Sequence, residues 1–208
     1  MNATPASTDV RQHILDVARP LLLRKGFTAV GLTEVLAAAR VPKGSFYHYF
    51  GSKEAFGEAV IEDYFAEYLE RMDALLAQPV TAAERLVSYF DDWLNSQIDD
   101  ESQSRCLAVK LGAEVSDLSE SMRSALTRGT GGVIERLARC IAAGKADGSL
   151  STSREDAQAL ATVLYQTWLG AGLLAKLAGK RAPLDIAMAG TRQLLGLSPD
   201  TFSSSANT

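Results

Sequence analysis

The chain has 208 residues, of which 47% are hydrophobic and 22% charged, so it can bury a substantial core as one small and one medium domain. Its two cysteines, Cys106 and Cys140, are too few for a disulfide framework and lack the paired Cys/His spacing of zinc sites. The net charge of −4 is unevenly spread: residues 1–55 carry seven Lys or Arg against four acids, a net of +3, which leaves −7 on residues 56–208. A basic head on an acidic body confines contact with a polyanion to the head.

The N-terminus, MNATPASTDV, has neither a basic segment nor an apolar run, which predicts no secretion signal and a cytoplasmic protein. Residues 1–7 are small and polar and are expected to be disordered. A first helix is predicted from Thr8 or Asp9 to Lys25, burying Ile14, Val17, Ala18, Leu21 and Leu22 and stopping at Gly26. Pro20 should bend or split it, because proline removes a hydrogen bond and crowds the preceding turn. Phe27 and Leu32 then bracket a short connection and plug a three-helix head.

In Thr33–Lys53, TEVLAAARVPKGSFYHYFGSK, Val35, Leu36 and Ala39 form an apolar stripe, Arg40 to Pro42 interrupt it, and Phe46 and Phe50 resume it four residues apart. The pattern is helix, tight turn, helix. Phe46 and Phe50 take one side of the second helix, leaving Lys43, Ser45, Tyr47, His48 and Tyr49 to project elsewhere. Lys43, Ser45 and the backbone N–H groups around Gly44 stand at its N-terminus, where helix-turn-helix proteins meet the major groove, and Lys53 can neutralise a phosphate.

Ser52 is a predicted N-cap for a long helix to about Leu76 with Phe56, Val60, Tyr64, Tyr68 and Leu75 near one face, linking head to body. Pro79 breaks the chain, and Thr81 with Glu84 forms a capping box for a helix to about Ile98 with an aromatic face of Tyr89, Phe90, Trp93 and Leu94. Residues 99–104 make a polar, acidic connection. A short helix follows, with Cys106 in its first turn. Ser119 or Ser121 caps the next, to about Lys145, in which Gly129, Gly131 and Gly132 are costly and point to close helix packing or a local break. No strand precedes these glycines and no GK[ST] follows, which argues against a phosphate loop.

Asp147 and Gly148 make a turn, and Ser153 with Asp156 can cap a helix whose stretch Ala157–Ala175 lacks any charge. Gln158, Thr162, Gln166 and Thr167 interrupt this run, so it reads as a helix buried on both sides rather than a membrane span. Pro183 opens a last helix through about Leu195. These two helices are expected to form a four-helix interface in a homodimer, the two-fold contact that matches a palindromic operator in double-stranded DNA. Residues 198–208 read as a loose tail.

Arg11 to Lys53, with GFTAVGLTEVLAAARVPKGSFYHYFGSKEAF at its heart, closely resembles the N-terminal DNA-binding unit of TetR-family transcriptional regulators. Cys106–Leu126, CLAVKLGAEVSDLSESMRSAL, and Leu164–Leu177, LYQTWLGAGLLAKL, resemble the regulatory domain of the NemR-type repressors of that family. The resemblance implies an all-α fold: a helix-turn-helix domain over residues 1–53 and a larger sensing and dimerisation domain over residues 54–197. It implies a repressor, with Lys43, Ser45 and Tyr47 at or near the bases, Gly44 beside them at the helix N-terminus, and Thr33, His48, Tyr49 and Lys53 mainly along the phosphates. The long fourth helix would carry the state of the body to the spacing of the two heads.

The residue pattern gives no catalytic set: both histidines, His13 and His48, fall in the head, and no nucleophile, base and orienting group come together. No cofactor or metal is expected. Cys106 has Arg105 beside it and Lys110 one turn later, which would lower a thiol pKa, whereas the acids at 99–101 would raise it. By pattern alone an inert core thiol fits better. The resemblance reverses this: NemR-type regulators respond to electrophiles and oxidants through the cysteine that Cys106 matches, and Lys176 in LLAKL matches a cation placed near it. Cys140, between Arg139 and Ile141 on a helix whose apolar residues include Val133, Leu137 and Ile141, reads as packing or partial exposure rather than a sensor. Tyr89, Trp93, Tyr165 and Trp168, with Lys110, are the candidate lining of a small-molecule pocket, and ordinary core fits the same four aromatics equally well. The effector is thus either an electrophile at Cys106 or a reversible ligand in the helical body.

Overall fold

The computed structural model describes residues 7–96, 107–153 and 156–197. Among these residues there are nine helices and no strand: α1 Ser7–Lys25, α2 Leu32–Ala39, α3 Lys43–Phe50, α4 Lys53–Leu76, α5 Ala82–Ser96, α6 Leu107–Leu118, α7 Glu120–Ala146, α8 Ala157–Ala178 and α9 Ala182–Leu195. The expected acidic connection at 99–104, Cys106 and the tail at 198–208 lie outside the described residues. The chain divides into two compact units, Met1–Tyr68 with Asp100–Thr130, and Leu69–Asp99 with Gly131–Thr208. The unit that holds the helix-turn-helix therefore runs past residue 53 and takes in α6.

In the first unit, α1 buries Ile14, Leu15, Ala18, Leu22 and Leu23. The predicted face was Ile14, Val17, Ala18, Leu21 and Leu22; Leu15 and Leu23 replace Val17 and Leu21, which stay half-exposed. The helix is turned so that residues i, i+1, i+4, i+8 and i+9 face inward, and the wide run of aliphatic residues allowed either rotation. A second correction concerns Pro20, which does not split α1: the helix runs through it from Ser7 to Lys25. One lost hydrogen bond is tolerated because buried residues flank it and Arg19 of the same turn pairs with Asp63 and Glu67 of α4.

Ser52 caps α4 as expected, its Oγ accepting from the Ala55 N–H at 3.0 Å. Phe56, Val60, Ile61, Tyr64 and Phe65 of α4 are buried. Ser119 Oγ accepts from the Met122 N–H at 3.4 Å and starts α7. Gly129 lies against α4 so tightly that an added Cβ would stand 2.2 Å from the Phe65 ring. Gly129 thus marks close packing and Gly132 lies 3.0 Å from Leu69 by the same measure, whereas a Cβ at Gly131 would meet nothing within 4 Å, and α7 runs through all three without a break.

In the second unit the capping box at α5 is formed in both directions: the Thr81 N–H donates to Glu84 Oε2 at 2.8 Å, and the Glu84 N–H donates to Thr81 Oγ1 at 3.3 Å. Asp156 caps α8, accepting from the N–H groups of Gln158 and Ala159. Gly148 and Gly179 take left-handed turns at φ +73 and +62, where glycine is favoured. α9 packs on α5 and α8. α8 buries Leu160, Leu164, Tyr165 and Trp168, while Leu173, Leu174 and Leu177 at its end and Ile186 on α9 stay exposed. No helix among the described residues is long and apolar enough to cross a membrane.

Candidate nucleic-acid interface

The turn between α2 and α3 is built from residues that end one helix and start another. Arg40 is left-handed, at φ 54 and ψ 40, and its N–H donates to Ala37 O while the Val41 N–H donates to Leu36 O at 3.1 Å, closing the end of α2. Arg40 is the only non-glycine residue at positive φ among the described residues. Pro42, extended at ψ 152, is the N-cap of α3 and makes no side-chain cap hydrogen bond. The first N–H groups of α3 are therefore not occupied by a capping side chain, and a helix N-terminus in that state favours an anion.

α3 is held by its apolar side. Phe46 and Phe50 are buried and their rings pack at 5.1 Å from each other and from Phe56. Burial of each such side chain stabilises the head by about 2 kcal/mol. The other side is open: Lys43, Gly44 and His48 are exposed, Tyr47 is 46% exposed, and Ser45 and Tyr49 are half-exposed. Lys43 Nζ lies 5.8 Å from the Tyr47 ring centroid, which groups a cation with an aromatic edge. A Cβ at Gly44 would meet nothing within 4 Å, so packing within this chain does not demand glycine there. Thr33 of α2 is exposed, and Lys53, at the start of α4, places Nζ 4.8 Å over the Phe27 ring.

Two features of this region were not legible in the sequence. Arg11 of α1 lies 5.5 Å over the Phe50 ring, adding a cation beside α3. Glu114 of α6 accepts from the Phe27 N–H at 3.0 Å and the Thr28 N–H at 2.6 Å, so it holds the connection between α1 and α2. Burial opposes ionisation of Glu114, but hydrogen bonds from Thr28 and Phe27 and the charge of Lys110 outweigh it and keep the carboxyl below its usual range.

The expected effector residues are distributed as follows. Tyr89, Trp93, Tyr165 and Trp168 come together in the second unit, all at most 5% exposed, with Trp93 at 5.7 Å from both Tyr165 and Trp168. Trp168 Nε1 donates to Thr191 Oγ1 at 2.8 Å, whereas buried Trp93 Nε1 has no hydrogen-bond partner. Lys110 is half-buried on α6 in the first unit, and Lys176 is exposed in the last turn of α8. Cys140 is buried, its Sγ donating to Ala82 O at 3.6 Å, and burial pushes the thiol up to about 11.

Comparison with known proteins decides the family. A family model described as bacterial regulatory proteins, tetR family, matches residues 14–60, and one described as tetracyclin repressor-like, C-terminal domain, matches residues 82–191. The chain belongs to the TetR family. It is 44% identical to the HTH-type transcriptional repressor NemR of Escherichia coli strain K12 over 90% of this chain and 94% of that one. It is 34% identical to the repressor DhaR of Mycobacterium sp. strain GP1 over 86% and 89% of the two chains. The crystal structure of E. coli NemR in its reduced form superposes with a TM-score of 0.86, covering 92% of this chain and 99% of that one. As a TetR-family transcriptional repressor, the protein binds operator DNA and acts as a dimer; its relatives are repressors rather than enzymes.

Proposed function

We propose that this repressor reads its operator with the open side of α3 and releases it when an electrophile or oxidant modifies Cys106. The observation that carries the DNA reading is the division of α3, with Phe46 and Phe50 buried and Lys43, Gly44, Tyr47 and His48 exposed. Lys43, Ser45 and Tyr47 contact bases or their immediate surroundings. Thr33, His48, Tyr49, Lys53 and the backbone at Gly44 hold phosphates, which fixes register without reading sequence. The dimer forms through α8 and α9, whose exposed Leu173, Leu174, Leu177 and Ile186 need cover from water. It holds the two heads about 34 to 36 Å apart, or a small multiple of that, to meet successive major grooves.

In the switch, the Cys106 thiolate donates an electron pair to a ring carbon of a quinone, a C–S bond forms as the conjugated C=C π bond breaks, the electrons move to the carbonyl oxygen, and that oxyanion takes a proton from solvent. The resemblance makes Lys176 the candidate for a cation that favours the thiolate. The added bulk changes the helical body and makes the head spacing wrong for DNA. A difference of about 3 kcal/mol between the two dimer states changes operator affinity about a hundredfold. The regulated genes encode enzymes that remove the electrophile, reductases among them. Solution of the E. coli relative in a reduced form, at 44% identity, supports this reading.

A second reading is a reversible effector in the helical body, beside Tyr89, Trp93, Tyr165 and Trp168. It is favoured by the buried Trp93 N–H without a partner, which a carbonyl-bearing ligand would satisfy. Fluorescence anisotropy on DNA from upstream of the protein's own gene separates the two. Wild type released by a quinone while Cys106→Ser stays bound supports covalent sensing; equal release of both supports the reversible ligand.

A further inference from the structure

α6 starts at Leu107, one residue after Cys106, and ends against the DNA-binding head within the same compact unit. Three of its residues, Leu107, Leu111 and Val115, are essentially fully buried, so the helix is seated along its length. At its start, the Leu107 N–H donates to the Tyr64 hydroxyl of α4 at 3.4 Å. Near its end, the two Glu114 oxygens each accept one of two successive backbone N–H groups, those of Phe27 and Thr28. Those amides belong to the connection that leads into α2. Charge-assisted hydrogen bonds of this kind are shorter and about twice as strong as neutral ones.

The fit extends to Gly26. It sits at φ +92, and a Cβ there would stand 2.9 Å from Glu114 Oε2. The backbone of residues 26–28 is thus shaped around the carboxylate from three consecutive positions. A solvated acid on a helix surface needs none of these features. On these contacts we infer that Glu114 is the positioning residue that makes α6 a rigid strut to the head, so that a displacement at the Cys106 end of α6 moves the α1–α2 connection and with it α2 and α3.

This rests on the proposed role of Cys106, and the test separates the two. Full-length wild type and Glu114→Gln are treated with a quinone, and Cys106 modification by intact mass is followed alongside operator affinity by anisotropy. The Gln variant still binds operator, because α3 is seated by Phe46, Phe50 and Phe56, and it is modified at the wild-type rate. Wild type then loses affinity about a hundredfold, within the usual span of allosteric coupling, whereas fully modified Glu114→Gln loses about fivefold or less. A variant that is modified and released as completely as wild type overturns the strut and leaves the sensor reading intact. Wild type that is modified yet keeps its operator overturns the sensor reading.

A second measurement needs no variant that folds. Hydrogen exchange at the Phe27 and Thr28 amides of wild type should stay protected after quinone treatment, since a strut moves without letting go. Accelerated exchange at those two amides on modification shows that the contact breaks, which overturns the strut whether or not DNA is released.

Discussion

Gly26 and Glu114 fit each other closely: the glycine stands at φ +92, and any side chain there would begin 2.9 Å from the Glu114 carboxylate. Gly26→Ala is therefore expected to destabilise the protein twice over, by a strained backbone and by displacing the acid. Together these cost about 1 to 3 kcal/mol. In a chain of this size each kcal/mol lowers the melting temperature by roughly 2 to 4 °C. Thermal denaturation followed by circular dichroism measures it, and an unchanged melting temperature would mean that the turn relaxes freely.

Two glycines two residues apart in α7 should respond in opposite directions. A Cβ at Gly129 would stand 2.2 Å from the Phe65 ring, whereas one at Gly131 would meet nothing within 4 Å. Gly129→Ala is expected to cost about 1 to 3 kcal/mol by overpacking. Gly131→Ala should stabilise α7 by about 0.5 to 1 kcal/mol through helix propensity. Urea titration of both variants compares them directly; equal shifts of the same sign would refute the packing account.

How far the sequence revealed these features depended on the range of the interactions. The cap at Ser52 and the Thr81–Glu84 box are satisfied within three residues, so pattern alone located them. The split of α3 into buried Phe46 and Phe50 and exposed Lys43, Tyr47 and His48 follows from helical period. Glu114 gave no such signal, because its partner Phe27 lies 87 residues away. The rotation of α1 and its continuity through Pro20 depend on α4, which supplies Asp63 and Glu67 to Arg19. The run of glycines in α7 pointed to close packing or a break, but only the fold shows that Gly129 meets Phe65 while Gly131 meets nothing.

Lys53 sits with its ammonium 4.8 Å over the Phe27 ring, at the start of α4. Replacing it with Ala should weaken binding to all duplexes similarly and reduce the slope of log affinity against log salt by roughly one. Anisotropy titrations across a salt series read this slope. No change in slope would remove Lys53 from the phosphate contacts.

Cys140 should behave as the opposite of a sensor. Burial raises its thiol from 9.0 to about 11, with Arg85 opposing and Asp147 assisting. At neutral pH it is a neutral, covered thiol, so maleimide should label it in the native Cys106→Ser protein far more slowly than after unfolding. The raised value stabilises the fold below the unfolded pKa of 9.0, and that contribution is lost as pH rises through about 11. Cys140→Ala should lose less stability than wild type over that alkaline window. Parallel curves for the two proteins would show that the thiol is not held neutral by the fold.

The central claim is that modification of Cys106 and loss of operator are one event. Wild-type protein bound to labelled operator is titrated with a quinone, and anisotropy and intact mass are read from the same aliquots, with the modified peptide identified. The released fraction should follow the fraction of chains carrying an adduct at Cys106, with Cys140 unmodified. Release without any gain in mass, or complete modification of Cys106 with the operator still bound, would contradict it.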